Sequence, residues 1–141
     1  MENLKKGFAL IEWLVVVAII VILTAVTQDY TRALKVTATK TIHKKTIDYI
    51  LAETQKCGLG EATIFGAQSC PATPSKAVIG VISQLKDKNP FITDNSAIKR
   101  SINYVVGQIS LSVSGLKVIV RTCSNIGCAK NDKVERGIKV N

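Results

Sequence analysis

The sequence predicts an α+β protein: one long N-terminal helix, membrane-spanning in its first half, packed on a small antiparallel β-sheet. Three observations predict it. Residues 8–56 contain neither Gly nor Pro, the two strongest helix breakers. Within them, residues 8–26 carry a single charge, Glu12. Near the C-terminus, apolar and polar residues alternate from Ile109 to Arg121, which is the period of half-buried strands.

The size allows little more. The chain has 141 residues, enough for one domain with a modest core. A hydrophobic fraction of 47% is too high for a disordered chain, and 5% aromatics is a poor supply for base-stacking platforms. A single histidine, His43, removes most His-based triads and metal sites.

The first element is residues 8–26, preceded by Lys5, Lys6 and Gly7 and followed by polar Thr27, Gln28 and Asp29. A helix of that length measures about 28 Å, close to the roughly 30 Å of a bilayer's hydrocarbon core. A cleaved secretory signal fits poorly, because the apolar run is long and Thr24-Ala25-Val26 is a weak cut site. A plain anchor leaves Glu12 unexplained. An acid at that depth costs roughly 2.5–3.5 kcal/mol and asks for a cationic partner. No Lys, Arg or His lies within residues 8–26. A cut after Gly7 would supply one, the new α-amine of Phe8, one helical turn from Glu12.

The run Lys5-Lys6-Gly7-Phe8-Ala9-Leu10-Ile11-Glu12-Trp13-Leu14 resembles the N-terminus of type IV pilins and pseudopilins. The resemblance implies a basic leader over residues 1–7 and cleavage between Gly7 and Phe8 by a prepilin peptidase. It also implies N-methylation of Phe8 and an assembly role for Glu12, the fifth mature residue. Residues 8–28 are then the transmembrane and assembly half of the helix, and residues 29–141 an exported head of pilin-like fold. The partners implied are copies of this or related subunits in a filament, the inner-membrane assembly machinery and the membrane itself. The precursor would be a single-pass inner-membrane protein with a cytoplasmic N-terminus, as the positive-inside rule requires for Lys5 and Lys6, and later part of an extracellular pilus. A DNA-uptake subunit and a type II secretion pseudopilin are the alternatives. Trp13 stands where Leu is usual. Val21 and Asp29 stand where many members carry Gly and Pro, so local melting of the helix lacks its usual cause.

The helix continues to about Lys56, before Cys57 and Gly58. Its second half shows two weak apolar stripes. One holds Tyr30, Leu34, Ala38, Ile42 and Tyr49; the other holds Ala33, Val36, Ile47, Ile50 and Leu51. Two stripes suit a helix with a sheet on one side and neighbouring subunits on the other. Residues 58–75, rich in Gly and Pro, read as loop. Ser75 can cap a short helix to about Lys86, with Val78, Ile79, Ile82 and Leu85 at helical spacing, although its β-branched content also allows a strand. Residues 87–95 form a turn around Asn89-Pro90. Strands follow at residues 109–114 and 116–121 across a Ser114-Gly115 turn, and at about residues 134–140, interrupted by Gly137.

Four cysteines permit three pairings, and sequence does not choose among them. Proximity favours Cys57 with Cys70 and Cys123 with Cys128, in an oxidising compartment where such bonds persist. A four-Cys zinc site is the alternative, but twelve residues separate the first pair where two to four are usual. The second pair loosely resembles, in position, the C-terminal disulfide loop of many pilins.

All of the formal net charge of +9 falls on residues 29–141. Its lysines and arginines are scattered, so they read as a solvated surface, and DNA binding is left as an open expectation. No nucleophile elbow, phosphate loop, paired-carboxylate motif or metal signature is present. The expectation is a structural subunit with no enzyme activity, cofactor or metal, and with His43 on the surface.

Overall fold

The computed structural model describes the backbone from Glu2 to Asn141 and the side chains from Ala9 onward. It contains two compact units, Met1–Leu34 and Lys35–Asn141. Helix α1, Glu2–Gly58, contributes to both. It begins earlier than expected because the leader holds only one breaker, Gly7, which costs an α-helix only about 1 kcal/mol relative to Ala.

In the first unit every side chain from residue 9 to residue 34 is exposed. This is the one described helix apolar and long enough to cross a membrane. Its threonines are compatible with that. Thr24, Thr27 and Thr31 each donate their hydroxyl to the carbonyl four residues back, at 2.6–2.8 Å. A hydroxyl satisfied by its own helix needs no water.

In the second unit the helix buries one face, not two stripes. Thr39, Ile42, Thr46, Ile47, Ile50 and Glu53 form that face. It lies between the two stripes, drawing Ile42 from one and Ile47 and Ile50 from the other. The sequence hides it because its centre is held by threonines. Thr39 and Thr46 donate to Lys35 and Ile42 carbonyls at 2.9 and 2.8 Å, so each buries a satisfied hydroxyl. The helix runs through Gly58, and Gly60, at φ +95°, takes the left-handed conformation that turns the chain away.

The expected loop holds a small hairpin, β1 (Thr63–Ile64) and β2 (Gln68–Ser69), and is tied to the helix end by a Cys57–Cys70 disulfide. Phe65 at the turn has φ +50° and is fully buried. Its ring meets Tyr49 edge-on, with centroids 5.6 Å apart. A left-handed non-Gly residue costs on the order of 1–3 kcal/mol, here offset by ring burial. Helix α2 follows at Pro74–Gln84. Thr73, rather than Ser75, is the cap, accepting from the Lys76 amide, and Pro74 occupies the first turn.

The main sheet has strand order β3-β4-β5-β6: Ile98–Arg100, Ile109–Ser114, Lys117–Cys123 and Lys133–Lys139. The last three are antiparallel, as expected. The edge strand β3 is parallel to β4. It is fed by a loop held at Asn89, whose buried side chain accepts from the Phe91 and Ile92 amides and donates to the Val106 carbonyl. The inner sheet face, Ile98, Ile109, Leu111, Val118, Val120 and Ile138, packs into one core with the buried helix residues and with Ala77, Val78 and Val81 of α2.

Candidate functional site

Gly7 and Phe8 lie on the α1 backbone, but the Phe8 side chain falls outside the described residues. Glu12 sits one turn further along. It is exposed and, among the described residues, makes no ion pair. Trp13, Val16, Val17 and Ile20 border a shallow groove beside it. Leu10, Ile11 and Leu14 add further exposed apolar surface. The arrangement is a carboxylate on a helix that is apolar on every side. In hydrocarbon such a group is costly unless it is paired or neutralised.

Residues 3–27 match the family model of the prokaryotic N-terminal methylation motif. The chain carries a prepilin signature. That signature is the one found in type IV pilins and pseudopilins, and here it covers the N-terminal segment alone. It implies processing by prepilin peptidase and assembly into pilin-type filaments, and with the exposed apolar helix it fits a membrane-anchored precursor. No curated protein and no solved structure matches the chain.

In this prepilin-type chain the second unit is stabilised by features that the sequence only partly marks. Cys57 and Cys70 have Cα atoms 5.7 Å apart; Cys123 and Cys128, bonded across a five-residue step after β5, are 5.4 Å apart. Glu53 is buried and accepts from the Phe65 amide at 2.9 Å and from Lys56 at 2.8 Å. Burial alone would raise its pKa. The Lys56 and Phe65 hydrogen bonds and the Lys56 charge outweigh that and hold it below the ordinary value.

His43 is a correction. It is half-buried rather than a surface residue, and its Nδ1 lies 2.7 Å from Thr122 Oγ1 on β5. Burial, aided by the Arg136 charge, lowers its pKa. The neighbouring Lys44 and Lys45 are exposed, Lys45 pairing with Asp87 at 3.0 Å, and they made His43 look exposed. The available signal was spacing: His43 is one turn from both Thr39 and Ile47 on the buried face.

Proposed function

We propose that this chain is a structural subunit of a type IV pilus or a related filament. It is cut after Gly7, methylated on the Phe8 amine and polymerised through its apolar helix. The methylation motif over residues 3–27 is the observation that carries this reading. The exposed apolar surface of residues 9–34 supports it, since a helix that buries nothing within its own chain leaves that surface to lipid or to other helices. Lys5 and Lys6 favour a cytoplasmic N-terminus before processing. The second unit is exported and becomes part of the filament outside the cell.

Glu12 is the assembly residue in this account. Alone in the bilayer its carboxylate is a cost. In a filament the Phe8 amine of an incoming subunit pairs with Glu12 of one already placed. Removing one partner of a buried pair costs about 3–5 kcal/mol, because the other charge is stranded. Glu12→Leu is therefore processed and stays in the membrane but enters filaments poorly, and Glu12→Asp is intermediate. Immunoblots of the inner-membrane and sheared-filament pools test this. Equal filament yield from wild type and Glu12→Leu refutes it.

A further inference from the structure

The two edges of the main sheet differ. β3 is three residues long, whereas β6 runs for seven, in unbroken register with β5 and without Pro. A long open edge is a template for another strand. The hydrogen bonds around β6 show which of its groups stay open. At its two ends the Ser124 amide donates to the Asp132 carbonyl and the Val140 amide to the Leu116 carbonyl, at 2.9 and 2.8 Å. In an antiparallel ladder such hydrogen-bonded pairs recur at every second residue. Val134, Arg136 and Ile138 therefore bond to β5, and Glu135, Gly137 and Lys139 turn their N–H and C=O groups away from it. Among the described residues no other backbone segment bonds to those outward groups.

Side chains along this edge define what it accepts. On the outer face Lys139 stands directly opposite Lys117, and like charges so placed weaken a sheet. Among the described residues neither lysine makes an ion pair. Lys133 is exposed at the other end of the strand. The acid between them, Glu135, is already engaged by Arg121 at 3.7 Å and by the Tyr104 hydroxyl at 3.3 Å. An incoming strand thus meets uncompensated positive charge on that face. On the inner face Val134 is exposed, although Ile138 on the same face is buried. The end of the strand borders an open cleft of about 560 Å³ against the last turns of α1, with Leu51, Leu59 and Lys139 in its wall. A second copy of the chain fits badly, because antiparallel pairing of two full β6 strands sets Lys133 opposite Lys139 at both ends.

We infer that the free edge of β6 takes up an extended segment of another protein, alternating acidic and apolar residues, as a fifth strand of the main sheet. Backbone hydrogen bonds to Glu135, Gly137 and Lys139 supply the grip, and alternate side chains supply the selection. Acids on the outer face lie beside Lys133 and Lys139. Apolar residues on the inner face cover Val134 and Ile138. The edge lies wholly within the second unit, so the inference does not rest on the filament reading.

The test uses the full chain in non-ionic detergent micelles and a synthetic peptide, about eight residues long, that alternates Glu with Val. Amide exchange is followed residue by residue by NMR. In the free protein Glu135, Gly137 and Lys139 exchange fast, and Val134, Arg136 and Ile138 exchange slowly. Saturating peptide slows the first three by about tenfold or more and leaves the others unchanged. Gly137→Pro removes one outward N–H and keeps the ladder with β5; a Cβ there meets only the Ile119 and Lys117 side chains, at 3.4 Å. It weakens peptide binding about tenfold. The same peptide, N-methylated at its edge-facing residues and offered to the wild-type protein, is weakened likewise, which keeps the test independent of how the variant folds. No binding, binding without the alternating protection, or equal binding of the N-methylated peptide overturns the inference. Equal binding of a peptide alternating Lys with Val overturns the acidic assignment. Protection of Glu135, Gly137 and Lys139 that grows with protein concentration alone gives the edge to a second copy and overturns it too.

Discussion

Replacing Gly80 by Ala inverts an elementary rule. Gly80 lies inside α2, where Ala is favoured over Gly by about 1 kcal/mol. Propensity alone says that the substitution stabilises. The structure says otherwise. A Cβ at position 80 would lie 2.1 Å from the Phe65 Cβ and 2.5 Å from its Cγ. Neither atom can give way easily. The Cβ is fixed to a backbone at φ +50°, and the ring is fully buried against Tyr49. Overpacking of this kind costs typically 1–3 kcal/mol, and contacts this short belong at the upper end. After the propensity gain, the net loss is about 2 kcal/mol. Native-state hydrogen exchange of the full chain in micelles reads this as lost protection in α2 and the β1–β2 hairpin. Phe65→Gly provides the control, since it removes both offending atoms and suits the positive φ. In that background Gly80→Ala becomes stabilising, by up to about 1 kcal/mol. Stabilisation by Gly80→Ala in the wild type, or the same effect in both backgrounds, refutes the packing argument.

Acid weakens the second unit in two steps. Folded His43 binds its proton less tightly than unfolded His43, so stability begins to fall as pH drops below the ordinary value of 6.5. Folded Glu53 is held below its ordinary 4.5, so its contribution is complete above that pH and is lost as pH falls through the depressed value. Urea midpoints from pH 8 to pH 3 show both limbs; His43→Gln flattens the upper one and Glu53→Gln the lower. Opening the Cys57–Cys70 bond with Cys57→Ser and Cys70→Ser together costs the second unit about 3 kcal/mol, read as a lower urea midpoint with membrane insertion unchanged.

The parts legible in the sequence are those written in a repeating period. The long helix showed in its lack of Gly and Pro, and β4 and β5 showed in the alternation of Ile109, Leu111, Val118 and Val120 against Ser and Lys. The buried helix face was obscured because Thr39 and Thr46 occupy its centre, and a hydroxyl bonded to its own helix is not apolar in a hydropathy pattern. β3 is only three residues long and pairs in parallel through a loop held by Asn89, so local spacing could not find it. Phe65 in a left-handed turn depends on Tyr49 and Gly80, which are distant in sequence. At the candidate assembly site, Glu12 stood out as the one charge in an apolar run, and Gly7 and Phe8 through the motif that contains them; their cleavage, methylation and assembly roles are those proposed above. The opposition of Lys117 and Lys139 was not legible in the sequence, because strand register rather than sequence distance brings them together.

The central claim is that this chain is matured as a prepilin, and the mature N-terminus tests it most directly. Mass analysis of the N-terminal peptide from protein recovered in sheared filaments is expected to begin at Phe8, with a methyl group on its α-amine. Gly7→Val is expected to leave the precursor uncut in the membrane. A filament protein that begins at Met1, or at a Phe8 without the methyl group, contradicts the account.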